Sequence, residues 1–302
     1  MLNNTYAYVR ARWVILIFML GPVAPMLVFD LNQPLENAVY EIVSYGLIGF
    51  LIWQIWGQNL GDREILGASP IAREAWIYLS LGIPSIGLYH IGQYLLFLPL
   101  SFVAPGGVSL WLLEAETPDF IEGFSLVAIL TNGIQVFVTV LLVPIVEEIV
   151  FRGFILHRWC EKYGEKRGIV QASILFSILH KELLGNFVWS VIVSVLCLRT
   201  KSLAGPILIH ISNNLLWVLE VMMVWFMAGN VEAFWDGSTI KEFQLGWWHG
   251  AIGAVISVPW FYWFVKTRLL KSNTSPKIST DGTQFKPGER RCKRRQQRIF
   301  DL

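Results

Sequence analysis

Apolar residues run along this chain in long blocks, not at the spacing of a half-buried helix or strand. The blocks are Trp13–Phe29, Ala38–Trp56, Trp76–Phe102, Phe124–Val146, Ile169–His180, Phe187–Leu198, Leu203–Met227 and Trp247–Val265. A helix that crosses a bilayer needs about 20 consecutive apolar residues. Most blocks approach that length, so the pattern predicts an all-α, polytopic membrane bundle of about eight transmembrane segments. The first block follows Arg10 and Arg12 and ends in GPVAPMLVFD, which offers no small-residue cleavage site, so it reads as a retained span. Gly82, Pro84 and Gly87 interrupt the third block, a break that neighbouring helices can re-satisfy inside a membrane. Between Gly168 and Arg199 there are about 31 residues in which to go out and come back, with a turn expected at Lys181–Glu182 and Gly185–Asn186. That pair either spans a thinned region or forms a helical hairpin reaching partway in and lining a wet cavity. Residues 1–265 form the membrane domain, with 124–228 as its core, and the polar, basic stretch 266–302 reads as a disordered tail.

Composition agrees. Charged residues make up 15% of the 302 and hydrophobic ones 54%, where a soluble domain carries about 25% charge. The net charge of +2 hides an uneven distribution. With the N-terminus inside, every one of the 24 Lys and Arg residues except Lys181 and Lys241 falls on the inner side, and the opposite loops carry Glu114, Glu116, Asp119 and Glu122. The positive-inside rule then places both termini in the cytoplasm, in a plasma (cell inner) membrane protein. The basic tail, with Arg290, Arg291, Lys293, Arg294 and Arg295, is suited either to anionic lipid headgroups or to a soluble, topology-fixing role. Nothing calls for a nucleic-acid partner. Cys160, Cys197 and Cys292 show no metal-type spacing, and there is no Gly-rich phosphate loop.

Charge inside the apolar blocks carries the chemistry. Glu147, Glu148 and Arg152 sit in VPIVEEIVFRGFILHR, at the end of the fourth block. Each such charge costs at least ~2.5–3.5 kcal/mol to insert, so it persists mainly where it pairs or works. Residues four apart share a helix face, so Glu148 pairs with Arg152, while Glu147, about 100° round, is left free to accept a proton. Pro144 loosens the helix just before them. His180 follows Phe176 by one turn, and His210 precedes Asn213 and Asn214, with Asn214 on its own face. At ~1.5 Å per residue, Glu147 lies roughly 16 Å from Arg158, His180 about 18 Å from Gly168 and His210 about 12 Å from Ser202. Three separate segments thus deliver an acid, a histidine and a histidine–amide pair to one slab of the cytoplasmic half. His90 and His249 sit on spans without acidic partners and His157 at a loop edge, so these three are expected to be structural.

A carboxylate with a histidine can hold and deprotonate a water, and a second histidine with an amide can stabilise the oxyanion that forms when the water adds to a peptide carbonyl. No serine or cysteine nucleophile accompanies the set. The same side chains, Glu147, His180 and His210, offer an alternative as zinc ligands, although no HExxH or other close-spaced zinc signature is present.

Glu147-Glu148-x-x-x-Arg152, Phe176-x-x-x-His180 and His210-x-x-x-Asn214 resemble, in order, the three motifs of the CPBP family, the CAAX-protease and bacteriocin-processing (ABI) intramembrane endopeptidases. The resemblance covers residues 124 to 228 and implies that Glu147 and His180 activate water, that His210 and Asn214 stabilise the oxyanion, and that Glu148, Arg152 and Phe176 support them. It also implies a membrane-associated peptide or protein substrate and a glutamate-dependent mechanism without a cofactor. Against it stand two competitors. A non-catalytic immunity or peptide-binding membrane protein has no need to keep both glutamates, and a proton-relaying transporter would show paired inverted halves that this chain lacks.

Overall fold

The computed structural model describes residues 9–31, 33–57, 66–113, 120, 123, 125–228 and 239–269. Among these there is no strand, only helices and one antiparallel bridge between Gly67 and Ser202. The helices are α1 (Ala11–Leu20), α2 (Pro34–Ile52), α3 (Ala72–Ser80), α4 (Gly82–Val103), α5 (Leu126–Tyr163), α6 (Glu165–Ile178), α7 (Leu183–Thr200), α8 (Ala204–Ala228), α9 (Ile240–Leu245) and α10 (Trp248–Phe264). Among the described residues, five helical runs are long and apolar enough to cross a membrane: Pro34–Trp56, Ala72–Val103, Leu126–Tyr163, Leu183–Thr200 and Ala204–Met223. The other three expected spans, at α1, α6 and α10, fall below that length or apolar content. The first runs from Ala11 to Met26 with a turn at Gly21–Pro22, where proline removes a backbone donor, and is shorter than a span needs. Arg63, Cys292, the acids Glu114, Glu116, Asp119 and Glu122, and the tail from 270 lie outside the described residues. The last helix continues through Leu269, four residues past the expected boundary at 265.

α5 is the longest of the described helical runs. Its 38 residues span about 57 Å, well beyond a ~30 Å hydrocarbon layer. Two π-helical stretches, Val138–Leu142 and Ile149–Leu156, bracket the α-helical turn Val143–Glu148 that carries both glutamates. Such bulges widen a helix locally and turn side chains out of the ordinary register. Below them Phe151, Phe154, Ile155 and Leu156 join Phe176, Trp189, Val193 and Leu196 in one buried cluster.

Lipid is as apolar as leucine, so helix packing in a membrane depends on small residues and polar contacts. Gly87 in α4 meets Gly253 and Ser257 in α10 so closely that a Cβ would collide with both, and Ser257 Oγ donates to the Pro84 carbonyl at 2.7 Å. Ser212 in α8 donates to the Leu79 carbonyl at 2.6 Å, beside Gly82. α4 and α8 therefore run parallel and α10 antiparallel to them. The bridge from Gly67 to Ser202, with Ser202 Oγ donating to the Ala68 carbonyl at 2.6 Å, brings the 66–72 and 199–203 segments together at one end of the bundle.

The α6–α7 pair is a tight hairpin. Its turn falls at Leu179–Glu182, and Gly185 and Asn186 belong to the first turn of α7 instead of the loop. The buried Glu182 carboxylate accepts from the backbone N–H groups of Leu184, Gly185 and Asn186 at 2.8–2.9 Å, satisfying donors that a helix start leaves open. The tip packs on Gly92, where a Cβ would strike Glu182 itself. From Gly92 α4 continues to Val103, so the hairpin ends partway along that helix.

Candidate active site

Glu147, His180 and His210 arrive from α5, from the turn after α6 and from α8. His180 Nε2 stands 3.8 Å from Glu147 Oε2, and His210 Nε2 stands 3.9 Å from the same oxygen. Each imidazole is fixed from behind. The Nδ1 of His180 lies 2.7 Å from the Phe176 carbonyl, and the Nδ1 of His210 lies 2.9 Å from Glu148 Oε1. A carbonyl and a carboxylate only accept, so in both rings the hydrogen sits on Nδ1 and a neutral ring presents a bare Nε2 towards Glu147. Glu147 Oε2 is itself buried and has no hydrogen-bond partner. Three acceptors thus converge across gaps too long for direct hydrogen bonds and of the width that a bridging group fills.

Glu148 has a different task. Completely buried, it accepts on one oxygen from both Arg152 Nη1 and His210 Nδ1, each at 2.9 Å. Arg152 is buried as well. Its guanidinium lies 4.3 Å from the centre of the Phe176 ring and 5.1 Å from that of Trp189, and its Nη2 donates to Ser190 Oγ at 2.9 Å. Phe176 in turn stacks on His180 with ring centres 4.2 Å apart. The i,i+4 pairing expected of Glu148 and Arg152 is present, and it extends to a histidine 62 residues away.

Asn214 is held by the irregularity in α5. In a π-helical turn the Thr139 carbonyl looks to the N–H of residue 144, which is proline and has none. Asn214 Nδ2 donates to that carbonyl at 2.8 Å, and Asn213 Nδ2 reaches Asn214 Oδ1 at 3.3 Å. One amide hydrogen of Asn214 remains for another partner.

Glu147, Phe176, His180, Trp189, His210, Asn213 and Asn214 line one cavity of about 570 Å³, and Glu148, Arg152 and Ser190 stand behind its wall. Its walls continue through Tyr89 and Gln93 of α4 and Trp217 of α8 to Glu242, Gly246 and His249 at the α9–α10 end. Glu242 and His249 are exposed while Glu147 and His210 are buried, so the cavity opens at that end, away from the bridged 66–72 and 199–203 segments. Distance from the basic loops sets the depth of each candidate side chain, but the route to it is set by where the helices part.

His157 Nδ1 bonds to the Arg152 carbonyl at 2.6 Å, in keeping with a structural role. His90 departs from expectation. Its Nε2 faces Glu220 Oε1 of α8 at 4.0 Å, so it does have an acidic neighbour, one that only the parallel packing of α4 and α8 brings near. Sequence reasoning also missed Trp189, whose Nε1 donates to Ser85 Oγ at 3.0 Å, as well as Ser190 and the capping Glu182. An acid immediately before an apolar helix is a readable cap signal; a serine 38 residues from its arginine is not.

Tetrahedral zinc, with ligands at 2.0–2.2 Å, brings their donor atoms to about 3.4 Å from one another. The 3.8 and 3.9 Å separations are wider, and among the described residues no group of three or more His, Cys, Asp or Glu is arranged to hold a metal ion. The two anchored imidazoles nevertheless have the outward-facing Nδ1 partners that metal-binding histidines use.

No curated protein and no solved structure matches the chain. A family model does, described as type II CAAX prenyl endopeptidase Rce1-like, over residues 129–216. That stretch holds every residue of the three motifs, from Glu147 to Asn214, and is the region of the chain that matches the CAAX protease family.

Proposed function

We propose that this chain is a multi-pass intramembrane endopeptidase that hydrolyses a peptide bond of a membrane-associated substrate with a water activated by Glu147 and His180. The observation that carries this reading is the unpartnered, buried Oε2 of Glu147 facing two anchored imidazole nitrogens at the inner end of an open cavity. A water in that gap gives one hydrogen to Glu147 and the other to His180 Nε2, and its lone pair is then aimed at the cavity. As it adds to the substrate carbonyl, Glu147 takes its proton, the C–O bond forms, and negative charge gathers on the carbonyl oxygen. Asn214 meets that charge with its remaining N–H. His210 does so when its Nε2 carries a proton, and Glu148 then faces the added positive charge from 2.9 Å. Collapse breaks the C–N bond, and the proton held by Glu147 passes to the leaving nitrogen.

The mechanism is tested in cells by comparing membrane proteomes with and without the gene. A new terminus that depends on the gene supports the protease, whereas proton-coupled flux without any cleaved product favours a transporter. The anchored imidazoles also support a second version of the same chemistry, in which Glu147, His180 and His210 would hold a zinc ion and the metal would supply Lewis-acid activation of the water. Under the metal-free reading EDTA and phenanthroline leave cleavage intact; inhibition reversed by added zinc selects the metal version.

A further inference from the structure

The cavity extends well past the catalytic set. Glu220 lies ten residues beyond His210 on α8, about 15 Å at ~1.5 Å per residue. Around it the wall is made by His90, Tyr94, Glu242, Phe243 and His249. This end holds the carboxylates of Glu220 and Glu242, the latter accepting from Thr239. The Glu220 carboxylate stands 4.0 Å from His90, beyond hydrogen-bonding length. His249 spends its Nδ1–H on the Gly246 carbonyl at 2.8 Å, so a neutral ring offers Nε2 as an acceptor. The Tyr94 ring stacks on Phe243 at 4.8 Å and on His249 at 6.2 Å, so these rings form one packed aromatic wall. Among the described residues lining the whole cavity, Glu147, Glu182, Glu220 and Glu242 carry carboxylates and Lys181 alone carries a permanent positive charge. Carboxylates and aromatic faces in a confined, low-dielectric cleft attract cations.

We propose that this end of the cavity is a specificity subsite for a basic side chain of the substrate, with Glu220 as its charged partner and Tyr94 and His249 flanking the aliphatic stem. The assignment rests on the endopeptidase reading. An extended peptide advances ~3.3 Å per residue, so a group about 15 Å from the reacting carbonyl is four to five residues from the scissile bond.

The test uses the full-length protein in phosphatidylcholine vesicles and a set of neutral, membrane-associated peptides that differ only in where one norleucine is replaced by lysine. Lysine four or five residues from the cut is expected to raise kcat/KM about tenfold over norleucine. Glu220→Gln should bring that ratio close to one, and Glu220→Asp should restore part of it. Equal rates for the two peptides overturn the subsite, as does a ratio unmoved by Glu220→Gln or a Glu220→Gln loss shared equally by both. Binding of the same peptides to the Glu147→Gln protein, followed by fluorescence titration, separates the two readings. Lysine-dependent, Glu220-dependent binding without cleavage of any peptide by the unaltered protein refutes the endopeptidase but keeps the cation site. Absence of both refutes both. Competition by an ethanolamine lipid, without any lysine preference, reassigns this end of the cavity to a headgroup and overturns the proposal.

Discussion

Replacing Arg152 by methionine tests how the polar centre is held together. The guanidinium is 1% exposed and has three kinds of partner: Glu148 at 2.9 Å, Ser190 at 2.9 Å, and the faces of Phe176 and Trp189. Methionine fills similar space, so the cavity term is small and the loss is electrostatic. Removing one member of a buried ion pair leaves the other charge uncompensated and costs ~3–5 kcal/mol, to which a desolvated cation–π contact adds ~2 kcal/mol. Residual bonding of Glu148 to His210 offsets part of this, so the expected loss is about 3–5 kcal/mol, a fall in Tm on the order of 10 °C. Thermal unfolding in detergent, followed by the fluorescence of the 14 tryptophans, measures it. The double variant Glu148→Gln/Arg152→Met removes both charges and should recover at least half of the loss in stability. It should not recover activity, because His210 has then lost the carboxylate that fixes Nδ1–H. Stability of Arg152→Met within ~1 kcal/mol of the unaltered protein would refute the account, and so would a double variant no more stable than the single one.

Asn214→Ala removes the proposed oxyanion donor and frees the Thr139 carbonyl; kcat should fall about 10²–10³-fold, and an unchanged rate in a peptide-cleavage assay removes Asn214 from the site. Glu182→Ala leaves three backbone donors at the hairpin tip without their carboxylate, so a loss of about 1–2 kcal/mol is expected on thermal unfolding, together with a reduced kcat as His180 moves. A Glu182→Ala protein of lowered stability but full activity would show that the cap does not position His180. Gly92→Ala presses a methyl group into that same carboxylate and should reproduce the Glu182→Ala phenotype; normal activity and stability in it would refute the close approach.

The motif residues were legible because their partners lie within a helical turn or because membrane depth restricts where a polar group can sit. Glu148 and Arg152 are i,i+4 neighbours, and depth reckoning alone put Glu147, His180 and His210 in one slab. What stayed hidden depends on contacts between distant helices or on irregular backbone. The second role of Glu148, orienting His210, needs α5 and α8 side by side. The grip of Asn214 on Thr139 needs a π-helical turn, which no apolar period announces. His90 looked isolated because its acidic neighbour is 130 residues away on a parallel helix. The count of spans was the least readable feature. Blocks of apolar residues mark what avoids water, and they do not show that Gly21–Pro22 interrupts the first or that Glu182 starts α7 inside the bundle.

The central claim is that Glu147 carries the reacting proton, and Glu147→Gln tests it most directly. Glutamine keeps the shape of the side chain and removes the base. With a purified protein whose unfolding temperature and detergent elution are unchanged, cleavage of a membrane peptide should fall at least ~10²–10⁴-fold. Full activity in that folded variant would contradict the account.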